Sequence, residues 1–226
     1  WDGKNWSVVG PAIAKWDNNS WNVSGSGING RVYSLCVFDG NLFASGKYTY
    51  AGLTQANCLA KWDGTNWTAL GAGLSITATS EPFATSLAVY YNELYITGFF
   101  SNAEGTTVNN IARWNGKNFL PVGTGLEYSS TGESYGRTLY VFNGELYVGG
   151  KFGTAGSNIA SNIAKWNGKS WSSVEFKNTQ IICFGEFENS LIMGGIFKGA
   201  KGEPQNIASY CPSAKADFVM SHSTGR

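Results

Sequence analysis

The amino-acid sequence predicts an all-β fold, and within that class a β-propeller of four-stranded antiparallel blades. A segment of the form apolar-Ala-Lys/Arg-Trp recurs about every 48 residues, which is the length of one propeller blade. Short apolar runs are separated by Asp-Gly and Asn-Gly pairs, which favour tight β-hairpins. No stretch of about ten residues or more shows the period of an amphipathic helix. The recurring segments contain Trp16, Trp62, Trp114 and Trp166, with a degenerate copy at Tyr210.

The first two strands of each repeat, A and B, are expected to form a hairpin. Strand A is an apolar run such as residues 32–38, and it ends in a turn pair such as Asp39-Gly40, which readily adopts positive φ angles. Strand B follows at once and ends in glycine, as in residues 42–46 and 146–150. We expect these glycines to lie where a side chain would crowd a neighbouring sheet.

Strands C and D complete the repeat. Strand C is the Ile-Ala-Lys-Trp segment, whose alternation buries one face and exposes the basic residue. A second hairpin, at pairs such as Asp63-Gly64, leads to strand D. Because aromatic residues that recur in phase usually belong to the core, we interpret the repeated strand-C rings, Trp16, Trp62, Trp114 and Trp166, as packing between blades. Strand D is marked by Trp21, Trp67, Phe119 and Trp171.

Such sheets hide their edges by stacking around an axis, as in a β-propeller. We count three complete blades, a fourth nearly complete one at residues 179–220, and C–D strand pairs from one or two more. The prediction is five or six blades with the first one incomplete, over residues 1–212. The repeat is broken between Gly10 and Pro11, where either a blade is truncated or residues are missing. Residues 13–23 are expected to close the ring by pairing with the last blade.

Composition excludes several classes of protein. A net charge of +1 and only 14% charged residues provide no basic patch for nucleic acid or an anionic membrane surface. No apolar run reaches the roughly 18 residues of a membrane helix, so direct membrane insertion is not expected. The spacing of the cysteines matches no zinc motif, and we predict neither a metal nor a cofactor. Disulfides and buried free thiols both remain open for Cys36, Cys58, Cys183 and Cys211.

The repeat resembles a known family. The consensus from Leu-Tyr-Val-Gly-Gly-x-Phe to Asn-Ile-Ala-Lys-Trp-Asn-Gly-x-x-Trp is similar to the Kelch-like propeller repeats of large, secreted, multidomain surface proteins of Bacteroidota that are exported by type IX secretion. A similar repeat occurs in fungal cortical polarity markers. The resemblance covers residues 1–212 and implies an extracellular or cell-surface location. Residues 211–219 resemble the first strand of a PKD-type immunoglobulin-like domain, so residues 213–226 either begin that module of a longer multidomain chain or supply the last blade strand.

Catalysis has little support in the sequence. The sole histidine, His222, lies in a polar terminal segment, so no Ser-His-Asp or Cys-His arrangement is expected. Residues 25–30 fit GxGxxG, but no βαβ unit surrounds them, and we interpret them as an inter-blade loop. Paired carboxylates could still hydrolyse glycosides. We therefore predict that the protein is not an enzyme and keep a carbohydrate-active enzyme as the second alternative, with Glu81, Glu104, Glu127 and Glu133 as its candidate carboxylates.

Binding is the better interpretation of the loops. The B–C and D–A connections emerge on one face of a propeller, and here they are the long ones. Exposed rings stack on sugars, and carboxylates bind hydroxyl groups. We predict a secreted or cell-surface module for adhesion or recognition, with a cell-surface glycan or a protein as its ligand; the first alternative is a structural spacer in a large surface protein. The candidate ligand-binding residues are Tyr48, Tyr50, Glu104, Tyr128, Glu133, Tyr135 and Arg137.

Overall fold

A computed structural model describes residues 13–16, 19–23, 26–77, 80–127, 133–174, 179–198 and 204–210. Predictions for the segments 1–12 and 211–226, including the PKD-like strand, and for Tyr128 lie outside these residues. Every regular element among the described residues is a β-strand, so the prediction of an all-β fold is confirmed. None of the described segments forms a helix that could span a membrane.

The described residues form 25 strands, which follow the predicted repeat. An N-terminal pair consists of β1 (Ala14–Trp16) and β2 (Trp21–Val23). The next repeat contains β3 (Arg31–Phe38), β4 (Asn41–Lys47), β5 (Tyr50–Ala51), β6 (Thr54–Gln55), β7 (Leu59–Trp62), β8 (Trp67–Ala69) and β9 (Leu74–Ser75). The third set is β10 (Phe83–Tyr90), β11 (Glu93–Phe99), β12 (Asn102–Ala103), β13 (Thr106–Thr107), β14 (Ile111–Trp114), β15 (Phe119–Pro121) and β16 (Leu126–Glu127). The last strands are β17 (Tyr135–Phe142), β18 (Glu145–Lys151), β19 (Thr154–Ala155), β20 (Asn158–Ile159), β21 (Ile163–Trp166), β22 (Trp171–Ser173), β23 (Thr179–Phe187), β24 (Ser190–Lys198) and β25 (Pro204–Tyr210).

Four antiparallel sheets dominate the fold. Sheet 1 has the strand order β3-β4-β7-β8, sheet 2 has β10-β11-β14-β15, and sheet 3 has β17-β18-β21-β22. Sheet 4 has β23-β24-β25, and the pair β1-β2 is a two-stranded sheet. In each of the three complete sheets, the four strands are the predicted A, B, C and D of one repeat. The described strands form no closed sheet.

The hairpin turns explain where strands end. Asp39 and Gly40 both have positive φ, 47° and 69°, and Phe38 opposes Asn41 across a two-residue turn, as predicted. The C–D turn is longer because Trp62 opposes Trp67. There the Asp63 carboxylate accepts the backbone N–H groups of both Thr65 and Asn66 at 2.8 Å, and only the glycine has positive φ. The side chain of Asp63 therefore stabilises the turn directly.

The strand-B glycines differ partly from the prediction. Gly46 and Gly98 both face the backbone of their own strand A, at the position where the strand pairing shifts. A side chain at either site would collide with that partner strand and not with a neighbouring sheet. Gly149 does match the prediction, because a methyl group there would lie 2.5 Å from side-chain atoms of Ile181 in the next sheet.

Neighbouring sheets pack through their inner strands and their tryptophans. The backbone N–H of Leu87 donates to Ser34 Oγ of sheet 1 at 3.2 Å, and Leu139 N–H donates to Ser86 Oγ of sheet 2 at 3.1 Å. Trp171 of sheet 3 is buried, and its Nε1 donates to Val122 O, just after sheet 2, at 3.0 Å. Trp171 therefore packs between repeats.

The prediction was made for the strand-C rings, and of these Trp166 joins the same buried cluster as Tyr95 of sheet 2. Trp62 and Trp114 are only half-buried and pair with strand-D rings of their own sheets.

The two ends of this stack expose positions that its interior buries. Leu35 in sheet 1 occupies the register position of Leu87 in sheet 2, yet it is 49% exposed against 7% for Leu87. At the other end, Ile207 in sheet 4 corresponds to Ile163 in sheet 3, and their exposures are 55% and 0%. Each end of the described stack therefore presents an apolar face of the kind that adjacent sheets cover elsewhere.

Three of the cysteines, Cys36, Cys58 and Cys183, are free thiols, and Cys211 lies outside the described residues. Among the described residues, no cluster of three or more His, Cys, Asp or Glu side chains is arranged to hold a metal ion.

Candidate functional site

The long connections form one ordered face, which we call the long-loop face. Each B–C connection carries a short hairpin: β5-β6, β12-β13 or β19-β20. The D–A connections contribute β9 and β16, which pair with β12 and β19 of the following repeat. The connections predicted as loops are therefore small sheets in part, and they join consecutive repeats on the same face.

A cavity of about 720 Å³ opens on this face between sheets 1 and 2. Residues Lys47, Tyr48 and Cys58 line one wall, from the B–C connection of sheet 1 and its ends. Glu81 and Pro82, from the connection that leads to β10, line the opposite wall. A volume of this size is typical of a small-molecule site.

The rim of the cavity is charged. Lys47 Nζ and Glu81 Oε2 form an ion pair at 2.8 Å across its mouth. The pair raises the pKa of the Lys47 ammonium and lowers the pKa of the Glu81 carboxyl, because each charge stabilises the other. Arg31 also lines the cavity and adds a second cation. The rim therefore carries an excess of positive charge over its single carboxylate.

Cys58 lies in the cavity wall with its thiol protonated at neutral pH. Burial raises the pKa of this thiol to about 11. Its Sγ donates to Pro82 O at 3.2 Å. Since the thiolate and not the thiol is the nucleophile, these surroundings do not activate Cys58 for covalent chemistry.

A second cavity, of about 330 Å³, lies at the equivalent position between sheets 2 and 3. Asn110 and the predicted ligand residue Glu133 line it. Ser80 Oγ donates to Glu133 Oε1 at 3.4 Å, so the connections that border the two cavities are in contact. Ile76 lines both cavities.

Tyr48 was predicted to present an exposed ring to a ligand, but the structure buries it. It is only 5% exposed, and its hydroxyl donates to Ala44 O at 2.7 Å. Burial raises the pKa of this phenol far above its ordinary value. The reason is its place in the repeat, because Tyr48 occupies the position of Phe100 and Phe152, which belong to the core.

Tyr50 and Glu104 lie on the same face but away from both cavities. Tyr50 is in β5 and is 46% exposed, so its ring is accessible. Glu104 is exposed in the β12-β13 turn with a positive φ of 48°, and its carboxylate lies against Gly71. The structure does not place either residue beside Glu133 in a single pocket.

Tyr135 and Arg137 form a pair on the inner strand of sheet 3. Arg137 Nη2 donates to the Tyr135 hydroxyl at 3.0 Å, and the guanidinium lies 5.6 Å from the ring centroid. Phe83 of sheet 2 contacts the same ring edge-on, with centroids 5.9 Å apart. Both residues are half-buried in this packing. Tyr128 lies outside the described residues.

Three of the candidate catalytic carboxylates each bind a different partner. Glu81 pairs with Lys47, Glu127 accepts a hydrogen bond from Asn109 Nδ2 at 2.9 Å, and Glu133 contacts Ser80.

Sequence reasoning missed Arg31 and Lys47, because neither belongs to a motif. The signal that could have found the larger cavity is Cys58, which stands where the next two repeats have Asn110 and Asn162.

Comparison with protein-family models found no match, and comparison with curated proteins found none. Among solved structures, the chain is similar to the computationally designed protein Ika8, at 14% identity and a TM-score of 0.46, over 85% of this chain and 49% of that one. It is also similar to the extracellular domain of a putative one-component system from B. thetaiotaomicron, at 11% identity and a TM-score of 0.40, over 85% of this chain and 28% of that one. The chain thus spans about half of the first structure and less than a third of the second. With TM-scores below 0.5, these similarities carry no argument about function.

Proposed function

We propose that the protein is a secreted or cell-surface β-propeller module that recognises a glycan or a protein through its long-loop face. The observation that carries this proposal is the 720 Å³ cavity between sheets 1 and 2, with its charged rim. Loops on a rigid β scaffold commonly carry binding sites, because the scaffold orders them before the ligand arrives. The sequence resemblance to repeats of secreted surface proteins supports the location.

The propeller is supported by the exposed ends of the stack. Beyond sheet 1 the structure describes only the two-stranded pair β1-β2, where Ile13 joins the core of sheet 1, and Leu35 stays exposed. Beyond sheet 4 no sheet is described, and Ile207 is exposed there. Repeat symmetry makes each of these faces complementary to a further sheet of the same kind. Covering them with such sheets continues the stack around an axis, as in a propeller.

Polar groups around the cavity suit a hydroxylated ligand. Lys47 and Arg31 are donors and Glu81 is an acceptor, all at the mouth. The half-buried Asn57 lines the wall, where its Nδ2 already donates to Ala72 O at 3.0 Å. Sugar hydroxyl groups both donate and accept, so they can satisfy such a mixed rim.

Binding is tested with glycan arrays and cell-surface pulldowns on the wild-type chain and two variants. Lys47→Ala removes a rim cation and should weaken binding by about tenfold, the effect of losing one charged hydrogen bond. Lys117→Ala is the matched control, because this exposed lysine lies in a C–D turn on the opposite face. Equal loss in both variants, or no ligand in either assay, would contradict recognition through this face and favour the spacer.

The propeller is tested with Leu35→Arg and Leu87→Arg in the full protein. In a closed ring both positions are buried, and both charges should destabilise the fold by several kcal/mol. In an open stack only Leu87→Arg is destabilising. Urea unfolding that shows Leu35→Arg to be neutral would therefore overturn the propeller.

A further inference from the structure

Two cations lie directly opposite each other at the mouth of the larger cavity. Arg31 in β3 is the cross-strand partner of Lys47 in β4, and both residues line the cavity. Side chains of such partners project from the same face of a sheet, and like charges in this arrangement destabilise the strand pair. The hydrogen bond and charge of Glu81 raise the pKa of Lys47, and the charge of Arg31 opposes that rise. The two cations therefore repel each other in the folded protein.

The repeat does not require charge at these two positions. The equivalent partners in sheet 2 are Phe83 and Phe99, whose ring centroids lie 5.6 Å apart. In sheet 3 the partners are Tyr135 and Lys151, so that only one of them is charged. Among the three complete sheets, only sheet 1 places two cations opposite each other. This departure from the repeat occurs where the larger cavity opens.

One carboxylate does not balance the two cations. Glu81 is the only acidic residue among the described residues that line the cavity, and it pairs with Lys47. None of the ion pairs between described residues includes Arg31. The ion pair of Lys47 and Glu81 is itself weak, because both side chains are largely exposed, at 46% and 76%. The mouth of the cavity therefore has hydrogen-bond donors and positive charge left for an anion.

We propose that the cavity between sheets 1 and 2 binds an acidic sugar whose carboxylate lies between Arg31 and Lys47; this inference rests on the proposed recognition function and specifies its ligand class. The planar guanidinium of Arg31 donates two parallel hydrogen bonds to the carboxylate. Lys47 has three N–H donors, so it donates to the same carboxylate and keeps its contact with Glu81. The bound anion thus offsets the repulsion between the two cations.

The accessible lining of the cavity favours a sugar over a protein ligand. Every exposed lining residue that the structure describes is polar or charged. Hydroxyl and amide groups both donate to and accept from sugar hydroxyl groups. Protein partners are held mainly by aromatic and apolar side chains in apolar pockets, and this mouth offers none. Besides the three charged residues, the exposed lining residues are Asn29, Thr49, Ser75 and Ser80.

The test begins with a glycan array probed with the full protein. The array carries oligomers of galacturonic and glucuronic acid, sialyllactose, a sulfated galactan and the neutral sugar cellobiose. The carboxylated glycan that binds most tightly is then titrated by calorimetry beside its methyl ester, which has the same rings but no negative charge. The acid should bind at least about tenfold more tightly than the ester, the effect of losing one charged hydrogen bond. The preference should shrink in high salt, because exposed charges are screened.

Two variants assign the preference to the cavity mouth. Arg31→Gln removes the guanidinium and should reduce the preference for the acid by about tenfold, whereas Glu81→Gln removes the competing carboxylate and should widen it. Lys117→Gln, at an exposed lysine on the opposite face, is the matched control and should leave the preference unchanged. Urea unfolding separates binding from folding. Because Arg31→Gln also removes a repulsion, its denaturation midpoint should equal or exceed that of wild type.

Several results would overturn the acidic-sugar site. These are an array on which no carboxylated glycan binds or on which the sulfated galactan binds best, equal binding of acid and ester, an unchanged preference in Arg31→Gln, and a lower denaturation midpoint in that variant. If a neutral glycan or an acidic peptide is captured instead in a Lys47-dependent way, the acidic-sugar site fails and the recognition function stands. If no ligand is captured at all, both fail.

Discussion

The backbone N–H of Leu87 donates to the Oγ of Ser34 in the preceding sheet, at 3.2 Å. The same bond recurs one repeat later, where Leu139 N–H donates to Ser86 Oγ at 3.1 Å. In each sheet the donor lies in strand A, an edge strand that pairs on one side only, so alternate N–H groups point away from their own sheet. A serine of the neighbouring sheet therefore satisfies a backbone group that the edge strand leaves unpaired.

Removing this acceptor should destabilise the contact between sheets. Ser86→Ala leaves the Leu139 N–H without its partner, and an unsatisfied buried donor costs about 1–3 kcal/mol. Urea unfolding measures the change. Ser172→Ala, at an exposed site in β22, is the control and should change stability by less than about 0.5 kcal/mol. Equal effects of the two substitutions would show that the hydrogen bond between Leu139 and Ser86 contributes nothing to stability.

The strand-B glycine of sheet 2 should not tolerate a side chain. In Gly98→Ala the added methyl group would lie 2.7 Å from Ala84 Cα and would also collide with the Phe83 carbonyl group. Overpacking of this kind costs about 1–3 kcal/mol, and here it falls on backbone atoms that cannot rotate away.

Gly185→Ala is the matched control for that glycine. Gly185 also lies within a strand, but a methyl group there would meet no atom within 4 Å. This substitution should leave stability unchanged or raise it by up to about 1 kcal/mol, because glycine costs more entropy on folding than alanine. Denaturation midpoints that rank the two variants in the opposite order would contradict the strand-A contact.

The indole of Trp171 should stabilise the fold through its hydrogen bond as well as through the apolar surface that it buries. Trp171→Phe keeps an aromatic ring but leaves Val122 O without its donor at 3.0 Å. We expect a loss of about 1–3 kcal/mol, seen as a fall of several degrees in Tm. Trp114→Phe provides the comparison, since Trp114 is only half-buried and pairs with Phe119 within its own sheet. A larger loss in Trp114→Phe would argue against the bond to Val122.

Alkylation of the thiols should depend on pH in a site-specific way. Burial raises the pKa of Cys58 to about 11, so that at pH 8 only about one molecule in a thousand carries its thiolate. The rate of iodoacetamide labelling at Cys58 should rise about tenfold per pH unit up to that pKa. Peptide-resolved mass spectrometry should show the exposed Cys183 labelled long before Cys58 at pH 8. Comparable rates at pH 8 would mean that Cys58 is not buried as described.

Much of the fold could be predicted because its signals are local. The pairs at Asp39 and Asp63 define turns through their own backbone and side-chain preferences, and the alternation of strand C reports burial within a few residues. The role of Gly98 could not be predicted, because the clash it avoids depends on a shift in strand pairing that no single strand records.

The candidate site was predicted less well than the fold. The B–C connections were correctly predicted to be long, but Tyr48 and Tyr50 look alike in the sequence, and only packing distinguishes the buried ring from the exposed one. Lys47 and Glu81 meet through an ion pair between two connections, which no pattern in either segment indicates.

The sequence by itself determined the all-β class, the repeat, the four strands of each sheet and the face on which the long connections meet, because turn chemistry and alternation act over a few residues. Only the tertiary structure decided which apolar positions are covered and where a cavity opens. Leu35 and Leu87 share a register position but not a neighbour, and Cys58 and Asn110 share a backbone geometry but not the carboxamide that donates to Leu126 O. Both differences arise from contacts between repeats about 50 residues apart, so they exist only once the sheets have packed.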